Sequence, residues 1–157
     1  MAGAHIEIKL EGLEQLQAQL QQLAAKGEEL TPALEDIGEL LLLSHQERWA
    51  QGVAPDGTPW APLSDTTQKM KPKHQTTPLR LNDILRDTLS YQVANGELLF
   101  GSAMAYAAMQ HFGGTTSPKS MIPGKDIPAR PFLGTSDEDE QEILQILQDH
   151  LQSAQKP

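Results

Sequence analysis

The chain has 157 residues, no cysteine and a formal net charge of -9. Its length bounds it at one domain, and the missing cysteines exclude disulfides, thiolate metal sites, iron–sulfur clusters and cysteine nucleophiles. The charge has the wrong sign for a protein that grips nucleic acid by neutralising phosphates. Only 4% of residues are aromatic against 38% hydrophobic, so the expected core is mostly aliphatic with a few large aromatic fillers, a composition compatible with a subunit that gains burial by oligomerising. The start Met1–Glu7 lacks a basic segment followed by an apolar run, and the longest apolar stretch, Leu40–Leu43, is too short for a bilayer. The expectation is a soluble intracellular protein with no signal peptide and no membrane partner.

Ile6, Ile8 and Leu10 alternate with polar residues and predict a short strand over 5–10. Leu13, Leu16, Leu20 and Leu23 recur at helical spacing up to a stop at Lys26-Gly27. A second helix is expected from Thr31-Pro32, with the Thr31 hydroxyl as cap, to about Trp49 or Ala50 before Gly52. Its inner face would carry Leu34, Ile37, Leu41 and Ser44 or His45, widened by Leu40 and Leu43. From Gln51 to Thr77 the punctuation by Gly and Pro reads as a long loop. A short helix follows over 82–89, capped by Asn82 and turning Ile84, Leu85 and Leu89 inward. Asn95-Gly96 between 90–94 and 97–102 predicts a hairpin with a type I′ turn. A helix over 103–112 stops at Gly113-Gly114, and a polar loop to Pro128 reads as a protruding hairpin or flexible arm. The last helix starts near Thr135 or Ser136 and buries Ile143, Ile146, Leu147 and His150 or Leu151. The fold class is α+β: helices packed around a small, mainly antiparallel sheet, as one domain over 1–157 with flexible loops at 51–77 and 113–128.

Tests for chemistry return little. His45-Gln46-Glu47 matches the His-x-Glu of zinc deaminases, but the required Pro-Cys-x-x-Cys is missing. There is no His-Glu-x-x-His, no Gly-x-Ser-x-Gly elbow and no phosphate-binding Gly-x-x-x-x-Gly-Lys loop. The acidic run Asp137–Glu140 reads as a helix start, since clustered exposed acids do not hold one carboxyl neutral as a glycosidase pair requires. Catalysis, metal and cofactor are therefore not expected. Lys69–His74 is basic, and with Asp137–Glu140 it forms either two separate solvated segments or a head-to-tail contact between copies.

Four short boxes are more informative. Arg48-Trp49 comes first, then Pro55-Asp56-Gly57-Thr58-Pro59-Trp60. Tyr106-Ala107 leads into Gln110-His111-Phe112-Gly113-Gly114, and Pro128-Ala129-Arg130-Pro131-Phe132-Leu133-Gly134 closes the set. Asp56-Gly57 is a tight turn that either presents Trp60 at a loop, as an interface anchor, or lets it pack on Trp49. His111 reads as a donor or cation near helix-terminal carbonyls. Arg130, between two prolines that force extended backbone, has few directions available, which suits a salt bridge or an intersubunit contact on an edge strand or sheet-flanking segment. The interface candidates are Trp49, Asp56, Gly57, Trp60, Tyr106, His111, Phe112, Gly113, Gly114, Arg130, Pro131 and Phe132.

Together and in this order, over about Glu47 to Ile143, the boxes resemble the phage virion morphogenesis family, the tail-completion type of Mu-like and P2-like phages and prophages. One departure stands out: the family's Leu-x-x-Thr-Gly-x-Leu is here Leu79 to Leu85, with Asn82 and Asp83 in place of Thr-Gly, which puts an unusual backbone turn there in doubt. The resemblance implies a structural, non-enzymatic tail-completion or connector subunit at the head–tail junction, assembling with copies of itself as a ring, commonly a hexamer. Its implied partners are tail-tube or terminator proteins and head-connector proteins, with no specific nucleic-acid binding although DNA passes through the channel. The implied location is the host cytoplasm during assembly and the virion neck or tail afterwards. The alternatives are a tail terminator, a head-closure subunit, or a small non-structural prophage binding or regulatory module.

Overall fold

The computed structural model describes residues 4–6, 18, 21, 22 and 30–155. The strand expected over 5–10 is seen as β1, Ala4–Ile6; its remainder lies outside the described residues. The four leucines of the expected first helix also lie outside them, while Ala18, Gln21 and Gln22 are helical and exposed.

Helix α1 spans Thr31–Gln51. Its cap position is Leu30, and no side chain caps it. Thr31 is itself helical, because Pro32 in the first turn has no N–H that needs a partner. Gly52 ends the helix at φ 71, a left-handed conformation that only glycine adopts without strain. Ala33, Ile37, Leu41, His45 and Trp49 are buried. Leu43 is not: it is 61% exposed, since four consecutive leucines at 100° per residue cannot all face one core.

The expected loop over 51–77 contains a short helix, α2, Asp65–Met70, whose first turn is capped by the Ser64 hydroxyl accepting from the Thr67 N–H. It buries no residue, so it has no apolar period by which to be read. Helix α3 covers only Ile84–Asp87, and its cap position is Asp83, not Asn82. Leu85 and Leu89 turn inward, but Ile84 stays about half exposed.

Strands β2, Ser90–Ala94, and β3, Glu97–Ser102, form the expected hairpin. Asn95 and Gly96 sit at φ 54 and 74, as a type I′ turn requires. With β1 on the other side of β3 they make a three-stranded antiparallel sheet. Helix α1 lies across one face of it. At Gly38 the contact is close enough that an added Cβ would stand 2.5 Å from the Tyr91 ring.

Helix α4 is Ala107–Phe112, shorter than the expected 103–112. Ahead of it, the Ser102 hydroxyl accepts from the Met104 N–H and holds a turn. The chain then enters an arm, in which β4, Gly114–Thr115, pairs with β5, Asp126–Ile127. Helix α5, Asp137–Gln155, packs against α1 and buries Ile143 and Leu151, with Ile146 and Leu147 half-buried. Ser136 and Asp139 cap it reciprocally, each side chain accepting from the other's N–H. The fold is α+β.

Candidate functional site

The residues from Pro128 to Gly134 form neither an edge strand nor any other regular element. Two prolines remove N–H groups and prevent a ladder, yet the segment runs through the interior with Arg130, Phe132 and Leu133 buried. Buried backbone groups need partners, and the other boxes supply them. The Arg130 N–H donates to the Gln110 carbonyl at 2.9 Å. Trp60 Nε1–H donates to the Pro131 carbonyl at 2.7 Å. The N–H groups of Phe132 and Leu133 both donate to His111 Nδ1 at 3.3 Å. Gly134 donates to His45 Nε2 at 3.3 Å and accepts from Arg48 Nη2 at 2.7 Å. The segment is a strap held by one backbone bond and otherwise by side chains, in place of a neighbouring strand.

The boxes also meet through their rings. Trp49 and Trp60 pack edge to face with centroids 5.3 Å apart; Trp49 lies 5.2 Å from Phe132, and His111 lies 5.4 Å from Phe132. Trp60 is thus tucked into the core, 7% exposed. The turn before it does the aiming. Ala54 and Thr58 bond across it, the Asp56 carboxylate accepts from the Thr58 N–H, and Gly57 takes φ 86. That backbone hydrogen bond from Thr58 holds the Asp56 carboxyl below its ordinary pKa. Gly113 and Gly134 allow close approach. A Cβ on Gly113 would sit 2.6 Å from the Ile127 carbonyl oxygen, and one on Gly134 would sit 2.7 Å from the Pro55 ring. Gly114, at φ 147, passes beside the Met109 sulfur.

Two readings of these residues change. Arg130 makes no salt bridge among the described residues; it donates Nε–H to the Ala61 carbonyl at 2.7 Å and Nη2–H to the Pro62 carbonyl at 2.8 Å. The planar guanidinium suits two adjacent carbonyls, and burial lowers its pKa from the ordinary arginine value. His111 is a neutral acceptor for two backbone N–H groups, not a cation at helix carbonyls, and burial pushes its pKa down. His45 is neutral as well. Its Nδ1 lies 2.6 Å from the Leu41 carbonyl and must donate, leaving Nε2 to accept from Gly134. Burial, and then the neighbouring Arg48 charge, lower its pKa to about 4.

Asp139 escapes the reading of its acidic run as wholly solvated. It is buried, and Oδ2 accepts from Arg48 Nη1 at 2.7 Å. Arg48 therefore ties α1, the strap and α5 together. The sequence carries a capping pattern here in two overlapping registers, Thr135-x-x-Glu138 and Ser136-x-x-Asp139, and the structure uses the second.

Residues 12–152 match the phage virion morphogenesis family. The chain belongs to that family. It is 29% identical over 148 residues to Mu-like prophage FluMu G protein 2 of Haemophilus influenzae, covering 94% of this chain and 96% of that one. It is 32% identical over 123 residues to tail completion protein S of Escherichia phage P2, covering 74% of this chain and 81% of the relative. With the putative capsid assembly protein G of Escherichia phage Mu it shares 29% over 118 residues, 73% and 74% of the two chains. No solved structure matches it significantly.

The departure from the family pattern at Asn82-Asp83 is resolved by the backbone. Asp83 occupies the glycine position and adopts φ 58, the left-handed region that Asp and Asn tolerate better than most residues. Arg80 grips its carboxylate with Nε and Nη2 at 2.7 and 3.0 Å, and these bonds hold its pKa down at about 2. This turn lines a groove of about 450 Å³ together with Leu63, Lys71, Leu79, Leu81, Ile84 and Tyr106. Lys71 Nζ donates to the Thr77 and Arg80 carbonyls, and burial lowers its pKa. Of the box aromatics, Trp49, Trp60 and Phe132 are consumed by the core, whereas Tyr106 and Phe112 stay exposed, Phe112 at 68%. Among the described residues no cluster of three or more His, Asp or Glu could hold a metal ion, and no helix is long and apolar enough to cross a membrane.

Proposed function

We propose that this member of the family is a non-enzymatic tail-completion subunit at the head–tail junction, acting as a single domain that assembles with its own copies into a ring. One observation carries the reading: of the box side chains, Arg48, Trp49, Trp60, His111 and Phe132 are engaged with each other and with the strap. What the body presents outward is an apolar groove, Phe112 and the hairpin arm. A rigid body with differently shaped outer surfaces suits heterologous contacts, which close into rings. The names of the relatives, one tail completion and one capsid assembly, fit a subunit working where tail meets head. Partners would be copies of itself, tail-tube or terminator proteins and head-connector proteins, met in the host cytoplasm before the subunit enters the neck.

Electron microscopy of lysates from the parent phage with this gene interrupted tests the reading. Full heads beside separate tails of normal length are expected. Tails of uncontrolled length would make the chain a terminator instead, heads that lose their DNA a head-closure subunit, and intact infectious particles would remove it from assembly altogether.

A further inference from the structure

The arm and the outer ridge of α1 are opposites in charge and alike in having an exposed apolar side chain at the centre. Residues 115–126 make hydrogen bonds only within the arm among the described residues: Thr115 to Asp126, Thr116 to Ile122, and the Lys125 N–H to the Thr116 hydroxyl at 2.8 Å. These bonds shape a tip on which Met121 is fully exposed and Ile122 about half exposed. Lys119 and Lys125 flank them, both exposed and in no salt bridge among the described residues. On α1, Asp36, Glu39, Leu43 and Glu47 follow at steps of three and four residues, so they share one face. All four are exposed, and Leu43 stands alone as an apolar residue between carboxylates one turn to either side.

We propose that the basic, apolar arm tip of one copy docks on the acidic ridge of the next. Met121 and Ile122 would cover Leu43, while Lys119 and Lys125 meet Asp36, Glu39 and Glu47. Within one chain the two surfaces do not touch, since both Met121 and Leu43 are open to solvent. The occupant is a second copy because the charges are complementary on the same chain and because a chain at -9 repels its copies except where a basic patch meets an acidic one. The two surfaces differ, so the contact is heterologous and repeats from copy to copy. This rests on the ring reading above and names the surfaces that would build it.

The test is sedimentation of the full chain at low and high salt, for the wild type, for K119E/K125E, for D36K/E47K, and for the four changes combined. All four positions are exposed, so the variants should fold, which circular dichroism verifies. Each paired reversal should weaken self-association at least tenfold, added salt should weaken the wild type, and the combined variant should recover assembly. Self-association that persists unchanged in both reversals, or that the combination fails to recover, overturns this contact and leaves the ring reading intact. A wild-type chain that stays monomeric at every concentration and in phage lysate overturns both.

Discussion

Lowering the pH from 7 to 4 should destabilise this protein through His45. The ring is fully buried and neutral, with Nδ1–H held by the Leu41 carbonyl and Nε2 accepting from Gly134. Adding a proton destroys the acceptor that holds the strap and places a cation beside Arg48, against which the hydrogen bond to the Leu41 carbonyl and the Asp139 charge act in the opposite direction. The pKa is about 4 in the folded chain against 6.5 for a free histidine. Stability from the neutral ring is therefore fully present above pH 6.5 and is lost as pH falls toward 4, because the unfolded chain binds a proton that the folded one refuses. At about 1.4 kcal/mol per pH unit, the loss comes to roughly 3 kcal/mol, a large part of the stability of a small domain. His111 is shifted in the same direction and adds to it. Asp83, at about 2, adds only below the ordinary aspartate range. Urea unfolding at half-unit steps from pH 7.5 to 4.5 reads the slope, and His45→Gln removes the titrating group while keeping an amide donor and acceptor. The wild type should steepen below pH 6.5 and the variant should be clearly flatter. Equal slopes, or a nuclear magnetic resonance titration placing His45 near 6.5, would refute the argument.

Trp60→Phe keeps a ring in the core but leaves the Pro131 carbonyl without its donor; a loss of about 1–3 kcal/mol is expected in urea unfolding, and a change within about 0.5 kcal/mol would mean that the bond does not hold the strap. Asp139→Asn leaves the buried Arg48 without its counter-charge and should destabilise by about 3 kcal/mol or more, with Arg48→Met/Asp139→Leu less costly than either single change by the same measurement. Gly38→Ala should lower the melting temperature despite alanine's better helix propensity, because overpacking against Tyr91 costs about 1–3 kcal/mol; in a Tyr91→Ala background the same change should raise it. Hydrogen exchange over 51–77 and 113–128 should be slower in assembled than in free protein, and equal exchange would show that neither segment is covered by a neighbour.

The elements legible in the sequence were those announced by local chemistry. Asn95-Gly96 gave the hairpin, Gly52 the end of α1, and the apolar spacing of Ile143, Ile146 and Leu147 gave α5. Helix α2 was hidden because it buries nothing, and Leu43 was misplaced because a four-leucine run carries no facing information. The boxes could be seen, but not their common purpose. Trp60 and Pro131 are bonded across 71 positions, and Arg48 and Asp139 across 91. No periodicity reports such pairings. The type of Arg130's partners was equally out of reach, because two carbonyls satisfy a guanidinium in the way a carboxylate does, without any charge to betray them.

This division of labour has a consequence for how the family's motifs are read. A strap that lacks its own ladder needs a tryptophan N–H, two neutral histidines and an arginine fork at fixed positions, and removing any of them leaves a buried backbone group unpaired. Substitutions at Trp60, His45, His111 or Arg48 should therefore impair folding before they impair recognition. Lys119, Met121, Leu43 and Glu47 lie outside that network and are open to solvent. Changes there can alter which surface is met while leaving the body folded. Loss of tail completion by a box variant would thus carry no information about partners until its folded fraction had been measured, whereas loss by an arm variant would bear on contact directly.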